Sequence, residues 1–155
     1  MQDARDLTLD LSLDCSPAAA WRCWTEADLL MRFFAPAPGR TLEAVIEPVP
    51  GGRFHTRMQF DALGEIASEG CVLHAEPGRR LIFTDRLQAG WRPAAEGFFT
   101  ADLRFVPGER GGCSYRVTAR HADSAAAEKH QAMGFESGWT QVARQLEAVA
   151  QQLSP

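Results

Sequence analysis

The stretch GGRFHTRMQFDALGEIASEGCVLHAEPGRRLIFTD, residues 51–85, decides the fold. Polar and apolar residues alternate along it, which is the pattern of half-buried β-strands, and glycine or Pro-Gly pairs separate the alternating runs. These turn signals are Gly51-Gly52, Gly64, Gly70 and Pro77-Gly78. We therefore predict three consecutive antiparallel strands. The expected inward side chains of the first strand are Phe54, Thr56, Met58 and Phe60. A sheet with such an apolar face needs a cover, and the longest available cover is a helical pattern at the C-terminus.

The flanking segments show similar patterns. Leu7 to Leu13 alternates with polar residues and predicts a strand, and Ser16-Pro17 predicts the start of a helix that runs to about Thr25. A second short helix is expected over 26–33, ending before two prolines. The predicted strands are 41–47, 53–60, 66–75, 81–87, 98–106 and 113–121. The chain is therefore predicted to be one α+β domain over residues 1–155.

The last helix is predicted to run uninterrupted from Ser124 to Leu153, because its apolar residues recur every three or four positions. Gly134 and Gly138 lie inside it, and a glycine in a helix interior costs about 1 kcal/mol relative to alanine. Two reasons for these glycines are compatible with the sequence. Either the sheet backbone approaches the helix closely, or the missing side chains leave space for a ligand.

Composition excludes several classes of function. The net charge of −4 gives no basis for nucleic-acid or anionic-membrane binding, and no apolar run reaches the roughly 18 residues of a membrane span. Five charged residues among the first 15 argue against a secretory signal, so a cytoplasmic location is expected. The four cysteines lack CxxC spacing and are expected to be small buried hydrophobes. The four histidines show neither HxH nor HxxxH spacing, so no metal or other cofactor is predicted.

A family resemblance rests on several motifs taken together. They are Trp21-Arg22-Cys23-Trp24-Thr25-Glu26, the segment Leu29 to Phe34 before Pro36, Gly51-Gly52-Arg53-Phe54, the pair Gly64 and Gly70, Glu76-Pro77-Gly78-Arg79-Arg80-Leu81, and Gly138-Trp139. In their order and spacing the chain resembles the helix-grip superfamily that includes START and Bet v 1 proteins. Within it, the chain is most similar to bacterial proteins related to the C-terminal domain of the activator of Hsp90 ATPase. The resemblance implies a β-α-α-β6-α fold with a pocket between the long helix and the concave sheet.

The candidate pocket residues are mainly aromatic. They are Phe34, Phe54, Thr56, Met58, Phe60, Phe83, Trp91, Phe99, His130, Met133 and Trp139. Individually most are expected to be core, but together they indicate an apolar cavity with few polar anchors. The loop Gln88 to Gly97 is the predicted entrance lid. His121 and His130 are expected to be solvated, and no catalytic group is assigned.

Three functions remain open. The first is binding of a small hydrophobic or amphipathic molecule, which predicts a closed cavity of roughly 300–1,000 Å³. The second is an enzyme of the same fold, cyclase- or dehydratase-like, with His121, His130 or Glu96 as first suspects for a titratable group inside the cavity. The third is a chaperone-associated module, which predicts an exposed apolar patch and a filled interior. Helix-grip proteins of this size often pair through exposed sheet faces, so a homodimer is compatible with the resemblance.

Overall fold

A curved antiparallel sheet covered by helices forms the structure, a computed structural model that describes residues 2–153. Its strands are β1 (Asp6–Leu13), β2 (Arg40–Ile46), β3 (Arg53–Phe60), β4 (Gly64–Glu76), β5 (Arg80–Thr84), β6 (Leu87–Gln88), β7 (Arg92–Pro93), β8 (Thr100–Pro107) and β9 (Cys113–Arg120). Its helices are α1 (Pro17–Thr25), α2 (Ala27–Leu30), α3 (Ser124–Ala132) and α4 (Phe135–Gln151). None of the helices within residues 2–153 is long and apolar enough to cross a membrane.

Seven strands make the main sheet, in the order β1-β9-β8-β5-β4-β3-β2. The first strand thus pairs with the last, while α1 and α2 carry the chain to the opposite edge of the sheet. The remaining two strands, β6 and β7, pair with each other between β5 and β8, and the strand predicted over 81–87 ends at Thr84. The predicted helix-grip order is confirmed. The predicted turn at residues 76–79 is of type II, because Gly78 has a φ of +74° and Arg79 N–H donates to the Glu76 carbonyl.

The concave face of the sheet forms the core, and one carboxylate is buried on the convex face. Along β8 the side chains of Ala101, Leu103 and Phe105 are buried in the core. Asp102 points to the other face and is only 1% exposed, because Arg80 and Arg120 each donate to Oδ2 at 2.7 Å. Burial alone would raise the pKa of Asp102, but the hydrogen bonds from both guanidinium groups outweigh it and lower the pKa. This ion-pair cluster joins β5, β8 and β9 across the middle of the sheet.

The cysteines behave as small apolar side chains. Cys23, Cys71 and Cys113 are buried, Cys15 is half-buried, and all four are free thiols. Burial raises the pKa of the Cys23 and Cys113 thiols to about 11, so both are protonated at neutral pH.

The C-terminal helix is broken, which corrects the prediction of one uninterrupted helix from Ser124 to Leu153. Gly134 adopts a φ of +95° between α3 and α4. A left-handed residue cannot continue a right-handed helix, so α3 ends before it and α4 starts in a new direction. Gly138 lies inside α4, and a methyl group added there would meet no atom within 4 Å. Close approach of the sheet backbone therefore does not explain either glycine.

Gly134 and Gly138 should respond oppositely to alanine. We expect Gly134→Ala to destabilise the protein by about 1 kcal/mol or more, because alanine is strained at positive φ. Gly138→Ala should stabilise it by about 0.5–1 kcal/mol through helix propensity. Urea denaturation of the two variants measures both effects. Equal destabilisation by both substitutions would contradict this account of the helix break.

Candidate ligand-binding cavity

The aromatic ring of Trp24 lies where α1, the sheet and α4 meet. Trp24 is fully buried, and its ring centroid lies 5.0 Å from that of Phe34, 5.8 Å from Phe83 and 6.3 Å from Trp139. These partners come from the segment after α2, from β5 and from α4 respectively. The space between the long helix and the sheet, where a ligand was predicted, is therefore filled by protein side chains in this region.

A cavity of about 160 Å³ remains on the far side of Phe34, over the concave faces of β3, β4 and β5. Six of the predicted pocket residues line it: Phe34, Phe54, Thr56, Met58, Phe83 and Phe99. Sequence reasoning missed five further lining residues: Ile66, Ser68, Gly70, Thr84 and Asp85. The alternation of β4 could have identified Ile66 and Ser68, since they share the parity of Gly70 opposite Phe54. No α4 residue lines the cavity, so the predicted position against the C-terminal helix is corrected to one against the segment that carries Phe34.

The cavity has an aromatic base and an open side. The rings of Phe54 and Phe83 stack with centroids 4.0 Å apart and planes within 4° of parallel. On the opposite side Ile66 is 43% exposed and Ser68 is exposed, so the cavity opens to solvent beside β4. We call this opening, defined by Ile66 and Ser68, the mouth.

The wall that carries Phe34 is held by α4. The side-chain amide of Gln145 donates to the carbonyls of Phe33 and Ala35, each at 2.8 Å, and its oxygen accepts from Ala37 N–H at 2.9 Å. Gln145 thus satisfies three backbone groups of the irregular segment between α2 and β2, and Gln141 donates to the Ala37 carbonyl at 3.0 Å. This fixes the position of Phe34 relative to the sheet.

Asp85 is the ionisable residue of the lining. It follows β5 directly, and its Oδ1 accepts the backbone N–H groups of Phe98 at 2.7 Å and Phe99 at 3.1 Å. These two bonds orient the carboxylate and position Phe99 at the start of β8. Its other oxygen, Oδ2, has no hydrogen-bond partner among residues 2–153.

Five predicted pocket residues do not line the cavity. Phe60 covers Gly39, where an added methyl group would lie 2.5 Å from its ring. Met133 is 67% exposed at the break between α3 and α4, because Gly134 redirects the chain there. Trp139 packs in the aromatic cluster, and His130 lies behind Phe99.

Trp91 lies away from the cavity, so its loop does not form the predicted lid. Trp91 is 49% exposed, has a φ of +66° and packs against Gly51 in the turn between β2 and β3. A hydrogen bond from Gly90 N–H to the Gly51 carbonyl, 2.8 Å long, fixes the loop there. None of the residues from Gln88 to Gly97 lines the cavity.

His121 and His130 form a buried pair, which corrects the expectation that both are solvated. They are 7% and 8% exposed, and His121 Nε2 lies 2.8 Å from His130 Nδ1. Because the Arg5 carbonyl can only accept, His121 Nδ1 donates to it, at 2.8 Å. One proton is shared between His121 Nε2 and His130 Nδ1, so each ring has a hydrogen-bond partner in the interior. No local pattern indicated the pair, because the two histidines are nine positions apart and the chain changes from strand to helix between them.

The ring of Phe99 stands between this pair and the cavity. Its centroid lies 4.8 Å from that of His130, while Phe99 also belongs to the cavity lining. Phe98 and Phe135 enclose His130 from other sides, at 4.9 and 5.1 Å between centroids. The histidine pair thus belongs to the core and has no contact with the cavity space.

Removing the Trp139 ring should test the aromatic cluster. We expect Trp139→Ala to destabilise the protein by about 3 kcal/mol, because a large ring in contact with Trp24, Phe34 and Phe99 is lost. Trp91→Ala is the matched control, and its exposed ring should cost less than about 1 kcal/mol. Urea denaturation measures both. A loss well under 1 kcal/mol for Trp139→Ala would refute its placement.

The buried pair should make stability depend on pH. Burial, with a smaller effect of neighbouring His121, lowers the pKa of His130 to about 4. Its unfolded value is near 6.5, so the stabilisation is fully present above pH 6.5 and is lost as the pH falls towards 4. Between pH 7 and pH 5 we expect His130 to account for a loss of about 2 kcal/mol in the free energy of unfolding.

Urea denaturation of His130→Asn at the two pH values isolates this effect, because asparagine can still donate to His121 but does not titrate. Its loss of stability from pH 7 to pH 5 should be smaller than that of the wild type. His74→Asn, at an exposed position, is the control and should retain the wild-type loss. Identical losses in all three proteins would show that His130 is not held neutral.

Comparison with known proteins agrees with the fold and the order of motifs. Residues 14–151 match the family described as "Activator of Hsp90 ATPase homolog 1-like protein".

The chain is similar to a crystallised protein from Nitrosomonas europaea, with 32% identity and a TM-score of 0.93 over 98% of this chain and 97% of that one. A protein from Rhodobacter sphaeroides has 21% identity and a TM-score of 0.82, covering 98% of this chain and 95% of that one. An AHSA1-like protein from Aeromonas hydrophila has 19% identity and a TM-score of 0.70, with 94% and 92% covered. No curated protein matches the chain. The match over residues 14–151 and the 32% identity over nearly the whole length show that this chain belongs to the activator of Hsp90 ATPase homolog 1-like family.

Proposed function

We propose that the protein binds a small apolar or amphipathic molecule, about as large as one aromatic ring, in the cavity beside Phe34. The observation that carries the proposal is a volume of about 160 Å³ with an aromatic lining and an open mouth. Pockets for drug-sized ligands measure roughly 300–1,000 Å³, so the cavity is smaller than the resemblance led us to expect. A volume of about 150 Å³ is known to hold benzene in another protein, which sets the expected ligand size.

The lining supports an apolar ligand with one polar group. Four phenylalanine rings and the Met58 thioether provide dispersion contacts, and Met58 can adapt to ligand shape. Polar side chains are few: Thr56, Ser68, Thr84 and Asp85. A ligand would therefore bury most of its surface against carbon atoms and keep a polar group near this small set.

The three titratable groups suspected from the sequence lie away from the cavity, which favours binding over catalysis by them. The two histidines named as first suspects lie behind Phe99, and Glu96 is exposed in the loop that packs away from the cavity. The exposed large apolar side chains, for example Val49, Val106 and Met133, lie on different elements. This distribution gives less support to a chaperone-associated surface than the cavity gives to a ligand.

Toluene is a suitable first probe, followed by NMR of methyl-labelled methionine. We expect the Met58 methyl resonance to shift on titration, because Met58 lines the cavity, while the exposed Met133 methyl acts as an internal control. Spectra of Met58→Leu assign the first signal. An unchanged Met58 resonance up to the solubility limit of toluene would refute the proposal.

Blocking the mouth provides a second test. Ser68→Trp should abolish the toluene-induced shift, because the ring would occupy the opening. Ala67→Trp adds the same ring to the opposite face of β4 and should bind toluene as the wild type does, since neighbouring strand residues point to opposite faces. Equal binding by the two variants would contradict entry beside Ser68.

A further inference from the structure

We infer that the natural ligand is a cationic amine, a single-ring-sized apolar group with a protonated nitrogen that pairs with Asp85. The inference rests on the proposed function, since it concerns the same cavity. It follows from the charge of the lining, the free oxygen of Asp85 and the arrangement of the phenylalanine rings.

The lining contains one charged side chain, a carboxylate. Asp85 belongs to it, and no lysine, arginine or histidine among residues 2–153 does. Asp85 also takes part in none of the ion pairs of the described chain. The adjacent Arg86 forms no ion pair with it, since its Nη1 donates to the Gly97 carbonyl at 3.0 Å. The Asp85 carboxylate would therefore repel an anionic ligand, whereas a cationic ligand could form an ion pair with it.

The Asp85 carboxylate is held in place by hydrogen bonds and can accept further ones. The N–H groups of Phe98 and Phe99 occupy Oδ1, while Oδ2 has no hydrogen-bond partner among residues 2–153. An ionised carboxylate can accept about four hydrogen bonds, so a donor from a ligand can be accommodated. A charge-assisted bond from an ammonium group is roughly twice as strong as one from a neutral donor.

The aromatic rings of the lining also favour a positively charged ligand. Phe34 meets Phe54 edge to face at 6.0 Å, Phe54 stacks on Phe83, and Phe99 also lines the cavity. The faces of aromatic rings are electron-rich and attract cations that lie within about 6 Å of a ring centroid. Aromatic walls combined with one carboxylate are the chemistry that recognises an ammonium group attached to an apolar body. A neutral alcohol could use the carboxylate but would gain no cation–π attraction from the rings.

Three ligands with one ring and different polar groups distinguish these chemistries at neutral pH: benzylamine, benzyl alcohol and benzoate. The readout is the Met58 methyl resonance, with toluene as the uncharged reference. We expect benzylamine to bind about tenfold more tightly than benzyl alcohol, and benzoate to bind more weakly than both.

Asp85→Asn tests the residue itself. Asparagine keeps an oxygen for the N–H groups of Phe98 and Phe99, so the wall of the cavity should keep its position, and benzylamine and benzyl alcohol are compared within this variant. The preference for benzylamine over benzyl alcohol should fall from about tenfold to about twofold or less. Asp61→Asn removes the same charge from an exposed turn and should leave the preference unchanged.

The outcomes separate this inference from the proposed function. If toluene and benzyl alcohol bind but benzylamine binds no more tightly, the amine is refuted and the apolar site stands. A preference for benzylamine that persists in Asp85→Asn also overturns the inference. If none of the four compounds moves the Met58 resonance, the proposed function falls and the inference falls with it.

Discussion

Packing around the fully buried Trp24 ring is the constraint on which the interior depends. It brings one ring from the segment after α2, one from β5 and one from α4 into a single cluster. Aromatic side chains of this size bury 150–250 Å² each, so the cluster accounts for much of the apolar surface between the helices and the sheet. Because Trp139 occupies the space beneath α4, the cavity that remains is displaced to the far side of Phe34 and is small.

Charge is distributed so that the cavity is left with one uncompensated group. On the convex face, Asp102 is neutralised by Arg80 and Arg120. In the core, His121 and His130 share one proton between facing ring nitrogens, and Phe99 separates this pair from the cavity. Asp85 differs from both arrangements, because its neighbours are backbone N–H groups and aromatic rings instead of charged partners. Asp102 is fully buried and pairs with two arginines, whereas the half-buried Asp85 has no ion-pair partner among residues 2–153.

The sequence predicted the sheet well and the loops poorly, for a physical reason. Alternation every two residues depends only on which face of a strand is buried, so the strand 53–60 and the lining by Phe54, Thr56 and Met58 followed directly. The break at Gly134 depends on one dihedral angle, and a glycine inside a helical pattern is compatible with both outcomes. Likewise, the pairing of His121 with His130 depends on how α3 packs against β9, which local patterns do not encode.

The C-terminal helix controls the cavity without lining it. Gln145 holds the segment 33–37 through three hydrogen bonds, and Trp139 supports the Phe34 ring from behind, 6.2 Å between centroids. Since Phe34 forms the wall opposite the sheet, the position in which α4 holds this ring limits the cavity volume. A wall already fixed by hydrogen bonds loses little entropy when a ligand enters, which favours binding of a small molecule with few contacts. The same rigidity limits the ligand to about one ring, because a larger one would have to displace Phe34 and break the Gln145 hydrogen bonds.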